Sequence, residues 1–356
     1  MNNLYKFKLT TLSPVHIGCR ESMSPYSDYI CKGKKVHFID QNKLIKFFKS
    51  REDIDEVMDD YLDTVKAQAS SNLQDRHNLK DFFEKYGLEM ENFISYSLDA
   101  NAGITQAINR TINSSGRPYI PGSSLKGSIR TSILYHHIKE ENINPVGKSP
   151  YIGQDVFGSF VGDIFKYFLV SDTNTVMNTE CEVLKTGRYN LKKSSLDVPI
   201  VVEAIKPNIS FDFSINLKGQ LESRFRYLNK NNIEDLLLII NEFYLENIAR
   251  EIKVLEENKT SVIYPIINFY QELNKEIIAL KENKTGAILR IGVGKTFYEN
   301  SVLLALDQDT RNKIIIAGNS KKRLKRDKNF FPKTRTMTVD NGQYKQVLGW
   351  IKIELQ

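Results

Sequence analysis

Tyr119-Ile120-Pro121-Gly122-Ser123-Ser124-Leu125-Lys126-Gly127-Ser128-Ile129-Arg130 is the stretch whose reading decides the fold. Arg117-Pro118-Tyr119-Ile120 reads as a short extended segment, and Ile129, Ile133, Leu134 and Ile138 then recur at helical spacing. The glycine-bearing loop therefore opens a helix, predicted over residues 125–139. A helix start built from small residues offers free backbone N–H groups and a positive dipole end, and Lys126 and Arg130 add charge. An anionic oxygen would be welcome there. A second basic loop, Leu289-Arg290-Ile291-Gly292-Val293-Gly294-Lys295-Thr296, stands near the far end of the ordered pattern. Ordinary turns are the competing reading of each loop, because glycine and serine mark turns generally.

Neither loop is a nucleotide-binding P-loop. That motif needs G-x-x-x-x-G-K-[ST], so that the lysine reaches the phosphates. The spacing from Gly122 reaches Gly127, but Ser128 follows where lysine is required; Gly294-Lys295-Thr296 ends correctly, but Leu289 stands five positions before Gly294.

Outward from the first loop the pattern has a clear order. Leu4–Leu12 alternates as a half-buried strand, and Tyr29–Cys31 with Val36–Ile39 reads as a hairpin around Lys32-Gly33-Lys34. Asp40 is placed to cap a helix through Phe48. Ile54, Val57, Met58, Tyr61, Leu62 and Val65 step three and four apart, which predicts a helical insertion over about 40–107. Ile108–Ile112 and Arg117–Ile120 flank the turn Asn113–Gly116 as a projecting hairpin. After the helix come strands at Phe168–Val170, Ile200–Ile205 and Ile209–Leu217, with a poorly patterned stretch before the second of them. Helices near 233–256 and 264–283 lead to the second loop and its strand. Without insertions the order is β, α, β, β, α, β. The expected fold is therefore α+β, the ferredoxin-like or RRM-like split βαβ arrangement. Residues 1–300 form that domain with its insertion, and residues 301–356 form a basic C-terminal extension ending in a strand.

The chain has 356 residues with 41% apolar content, enough for a sizeable core, and a net charge of +7 with pI about 9.0. The charge is uneven. Residues 321–335 carry eight cations, among them Lys321, Lys322 and Arg323, against the single acid Asp327. Such a run is either a solvated surface segment or a nucleic-acid contact. Cys19, Cys31 and Cys181 form no C-x-x-C pair, so no zinc knuckle or disulfide framework is indicated, and a reducing cytoplasm fits. The N-terminus has no apolar signal region, and the longest aliphatic run, Leu236 to Ile240, is too short to span a bilayer. No membrane association, metal or cofactor is expected.

The first loop resembles the signature of the RAMP superfamily, RNA-binding proteins that build type III CRISPR effector complexes. Leu12-Ser13-Pro14-Val15-His16-Ile17-Gly18 is similar to the family's first loop, and Ile291-Gly292-Val293-Gly294 to its C-terminal glycine-rich loop, although with fewer glycines than is usual. Within the superfamily, Phe168–Asp172, Phe331–Arg335 and Leu348–Leu355 resemble the family of fifth subunits of type III-A Csm complexes. The resemblance implies a structural subunit that caps the backbone filament at the crRNA 3′ end and assists crRNA maturation. Its partners would be crRNA, the repeated backbone RAMP subunit, the small helical subunit and host nucleases. The guide would be held by its backbone through His16, Gly122, Ser123, Ser124, Lys126, Arg130, Gly292, Gly294 and Lys295.

Catalysis is the alternative. His16 is the natural acid–base candidate, since histidine titrates near neutral pH and related processing RAMPs cleave RNA with a histidine. Asp28 is the second, by analogy with the loop aspartate of the repeated backbone subunit. Against them, a histidine after a strand is commonly a packing or phosphate-contacting residue, and an aspartate at a strand start is an ordinary turn residue. His136 and His137 point to different faces of their helix and suggest no metal. A basic RNA-binding domain unrelated to CRISPR is the third reading.

Overall fold

Tyr5, Phe7 and Leu9 alternate with Lys6 and Lys8 along the strand Asn3–Thr11, and the structure, a computed structural model, buries Phe7 and Leu9 while exposing both lysines. It describes residues 3–67, 78–141, 153–159, 161–218, 233–258, 260, 263–317, 331–340 and 343–356. Ser210–Leu217 alternates in the same way and pairs antiparallel with Asn3–Thr11, setting Phe7 opposite Phe213 with their rings stacked at 5.3 Å. Each such buried aromatic contributes roughly 1.5–3 kcal/mol of transfer free energy.

These two strands are the centre of a five-stranded sheet. Its order is Gly286–Arg290, Trp350–Leu355, Asn3–Thr11, Ser210–Leu217, Phe168–Val170, and every neighbouring pair is antiparallel. The helix Gly122–Glu140 crosses from the first strand to Phe168–Val170, with Ser210–Leu217 between them. That is the ferredoxin-like split βαβ order. The second crossover contains two helices, Ile233–Glu257 and Tyr264–Asn283, so Gly286–Arg290 returns parallel to the first strand instead of beside it. The place between them is filled by Trp350–Leu355. The strand assigned by sequence to a C-terminal extension thus lies inside the principal sheet.

A second sheet of six strands runs Gln343–Val347, Thr334–Asp340, Cys181–Asn190, Ser195–Ile205, Ile108–Thr111, Gly18–Met23. Its long hairpin joins Cys181–Asn190, in the stretch that shows little pattern in the sequence, to Ser195–Ile205, which contains the predicted strand Ile200–Ile205. One apolar core joins both sheets to the three long helices. The insertion has a separate core of Leu44, Phe48, Val57, Leu79, Phe82 and Phe83 on the helices Gln41–Lys49, Ile54–Lys66 and Leu79–Lys85. Asp40 caps the first of these, accepting the N–H groups of Asn42 and Lys43. The strand Ile94–Asp99 then returns to pair with Lys35–Ile39. Asn113–Ser114 and Arg117–Pro118 form the projecting hairpin, whose turn residues Ser115 and Gly116 both have positive φ.

Candidate nucleic-acid interface

The helix begins at Gly122, three residues earlier than the sequence predicts, so the first glycine loop is itself the opening turn and a half. Pro121 precedes it in extended conformation and supplies no side-chain cap. Asp172 takes that role: its Oδ1 accepts the Gly122 N–H at 2.7 Å. One of the N–H groups expected to be open to an anion is therefore held by the protein's own carboxylate. The fit is close, because a Cβ on Gly122 would stand 2.3 Å from the Val170 carbonyl oxygen.

Ser123 and Gly127 are exposed on this helix, and Ser124 and Lys126 are half-buried. Lys126 Nζ lies 5.2 Å from the Phe165 ring centroid, and burial, together with the nearby Arg130 charge, lowers its pKa. Arg130 is engaged within the fold. Its guanidinium sits 3.8 Å over Phe157 and 3.0 Å from the Asp163 carboxylate.

The second loop is fastened to the N-terminal one. Val293 N–H donates to the His16 carbonyl at 2.9 Å, Ile291 N–H to Gly349 O and Gly349 N–H to Pro14 O, each at 2.8 Å. Gly292 and Gly294 have φ of 64° and 107°, and a Cβ on Gly292 would meet His16 O at 2.3 Å. Glycine is required there by both conformation and space. Beneath the loop Arg290 is 1% exposed. It pairs with Glu299 at 2.9 Å and donates to Leu348 O, which fixes the loop's base.

The two glycine loops meet at Ser128. Its hydroxyl donates to Arg290 O at 2.7 Å and accepts from Lys295 Nζ at 3.3 Å. Tyr244 OH is 2.6 Å away and, since the serine proton is engaged, donates to the same oxygen. Lys295 is half-buried, and its pKa is pushed down to about 8, first by desolvation and further by Arg290, with Glu299 opposing. A charge so poorly compensated is ready for an anion. Ser128 and Asp172 were not singled out from sequence; both lie in the stretches that carry the family resemblance, and that was their only signal.

His16 is 3% exposed. Its Nδ1 is 2.6 Å from the Glu203 carbonyl, which can only accept, so Nδ1 carries the proton; burial lowers the ring's pKa. The ring is neutral and its contact with the loops runs through its backbone. Asp28 accepts the Ser24 N–H at 2.6 Å and closes the turn 24–28. His136 pairs with Glu242 at 3.2 Å on the far helical face. Among the described residues no three His, Cys, Asp or Glu side chains gather as a metal would require. Lys321, Lys322 and Arg323 lie outside the described residues.

The family model of the RAMP superfamily matches residues 8–297. The "CRISPR system Cms protein Csm5" of Methanocaldococcus jannaschii is 26% identical over 98% of this chain and 88% of that protein. The protein of the same name from Streptococcus thermophilus is 28% identical over 59% of this chain and 63% of its own length. A chain of a cryo-EM Csm–crRNA–target RNA ternary complex of a type III-A CRISPR-Cas system superposes with a TM-score of 0.72 at 21% identity, covering 99% of this chain and 100% of that one. The crystal structure of T. onnurineus Csm5 gives 0.64 at 20% identity, covering 97% and 99%. The family's match runs through both glycine loops and the split βαβ sheet that brings them together, and the chain belongs to the RAMP superfamily.

Proposed function

We propose that this chain is the crRNA-binding subunit of a type III-A Csm complex that caps the backbone filament at the crRNA 3′ end and assists crRNA maturation in antiviral defence. The observation that carries the reading is the meeting of the two basic glycine loops at Ser128, where Lys295 is a desolvated cation beside an exposed helix turn. Ser123, Ser124 and Lys126 on one side and Gly292, Gly294 and Lys295 on the other offer backbone N–H groups, hydroxyls and cations. That chemistry follows a sugar-phosphate chain and leaves bases free to pair. The exposed residues of the central strands, Leu4, Lys6, Lys8, Ser210 and Asp212, include no stacking aromatic, which favours backbone-directed contact.

In this reading the chain acts as a scaffold in the cytoplasm, beside the repeated backbone RAMP subunit and the small helical subunit, with host nucleases trimming the guide. Among the described residues no helix is long and apolar enough to cross a membrane. Against intrinsic cutting stand the buried neutral ring of His16 and the turn-closing role of Asp28.

The test is a salt titration of single-stranded guide RNA binding by the purified chain and by Lys126→Ala/Lys295→Ala. The double variant loses affinity, and its slope of log K against log salt shrinks by ~0.7 for each lost phosphate contact. An unaltered slope in a folded variant would remove the loops from the interface. RNA recovered uncut from the wild-type incubation supports the scaffold reading; a defined cut abolished by His16→Ala would make the chain an endoribonuclease.

A further inference from the structure

The strand Gly18–Met23 leaves the N-terminal loop and runs along a cleft of about 380 Å³ between the second sheet and the insertion. Met23, Phe38 and Ile39 give it apolar lining, with Tyr96 stacked on Phe38 at 4.6 Å. Arg110 and Asp28 line it as well. The Arg110 guanidinium stands 3.5 Å from Glu21, and its Nε is buried with no hydrogen-bond partner among the described residues. Asp28 accepts the Ser24 N–H with one carboxylate oxygen, and its charge reaches the Tyr61 hydroxyl.

We infer that this cleft holds one unstacked nucleobase of the guide RNA, a base bearing both an exocyclic amine and a ring or carbonyl acceptor. The inference rests on the RNA-binding reading of the glycine loops. Charge decides the ligand class: two carboxylates, Glu21 and Asp28, against one guanidinium repel a phosphate. A neutral planar base suits the apolar lining, with its amine donating to Asp28 and its acceptor edge receiving Arg110, as single-stranded bases are read on their edges. Cytosine meets both demands. Uracil offers no amine.

The path from the loops is continuous. Gly18 to Met23 spans at most about 17 Å at ~3.3 Å per residue, so an RNA leaving the loops reaches the cleft within a few nucleotides. Between them the pairing with Ile108–Thr111 slips: Gly18 faces Thr111 but Ser22 faces Asn109. In that bulge Arg20 is exposed with φ 68°. Bulges and left-handed non-glycine residues concentrate at functional sites, and here the bulge turns a cation toward solvent beside the path.

The test compares 12-nucleotide oligocytidine and oligouridine by fluorescence anisotropy on the full chain. Wild type prefers oligocytidine by about fivefold, the effect of roughly one hydrogen bond. Asp28→Asn keeps an acceptor for the Ser24 N–H but can donate to the uracil carbonyl, so it removes or inverts the preference. Arg110→Gln weakens both oligonucleotides. Equal wild-type affinities, or a preference unchanged in Asp28→Asn with a wild-type melting curve, overturn the cleft while leaving the loop interface standing. Absence of binding to either RNA overturns the loop reading, and this inference with it.

Discussion

Lys295 is a cation that the fold disfavours, and the pH dependence of binding should reveal it. Its pKa falls from 10.5 to about 8, so between those values the unfolded chain holds a proton that the folded chain has released. Stability contributed by this group therefore rises as pH climbs through that window. Binding moves the other way. A phosphate oxygen beside Nζ favours the ammonium form, so RNA affinity should fall between pH 7.5 and 9.5 in anisotropy titrations. Lys295→Arg, which stays charged, should flatten that decline; an equally steep decline in the variant would place the titration elsewhere. His16 acts on stability in the same sense, in a lower pH window. Its ring is held neutral below the usual 6.5, so the unfolded chain takes up the proton first and stability is lost as pH drops below that value. His16→Ala also strips the Glu203 carbonyl of its donor and should cost ~1–3 kcal/mol in chemical denaturation without changing any RNA cleavage by the assembled complex.

At the scale of the element, the two kinds of glycine separate folding from binding. Gly127 lies in the helix Gly122–Glu140 with nothing within 4 Å of the place its Cβ would take. Gly127→Ala should stabilise the chain by about 0.5–1 kcal/mol through helix propensity, yet weaken RNA if the guide lies against this turn. A rise in Tm with unchanged affinity would move the guide off the helix. Gly292→Ala clashes with the His16 carbonyl at a positive φ and should be destabilising in the same melt. The helix that follows the first glycine loop, though it starts three residues before the predicted 125, the Asp40 cap and the alternation of Asn3–Thr11 were legible because each is written in local spacing. The strand Cys181–Asn190 was not, since Cys181, Val183, Leu184 and Thr186 are all buried and the period-two signal disappears when both faces of a strand are covered; its partner Ser195–Ile205 was legible over Ile200–Ile205 alone. Asp172 at the helix start, Ser128 as the meeting point and the Arg290–Glu299 pair depend on contacts between distant segments, which spacing alone cannot carry.

For the whole molecule, charge and topology make different demands. The basic run 321–335 equals the chain's entire surplus of +7, so replacing Lys321, Lys322, Arg323, Lys325 and Arg326 with Ser should reduce the salt slope of RNA binding while leaving Tm near wild type. A collapse of Tm with RNA retention unchanged would assign the run to the fold. Ile353 should behave in the reverse manner: it is 1% exposed and sits between Leu9 and Ala287, so Ile353→Asp should cost more than ~4 kcal/mol and yield little soluble protein. That strand carries a further consequence. Trp350 donates its backbone N–H to the Ser13 hydroxyl, 337 residues earlier in the chain. During synthesis the strand Asn3–Thr11 leaves the ribosome with both edges unmatched; Ser210–Leu217 covers one, and the other stays open until residues 350–355 emerge. The N-terminal loop gains its last anchor then as well: Val15 is already bonded to Ile205 and His16 to Glu203 and Val293, and Gly349 adds the bonds that tie Pro14 to Ile291. A chain that stops short of residue 349 therefore lacks both the strand that closes the principal sheet between Asn3–Thr11 and Gly286–Arg290 and the hydrogen bonds that lock the two loops together, so the last residues made complete the pairing of the first strand.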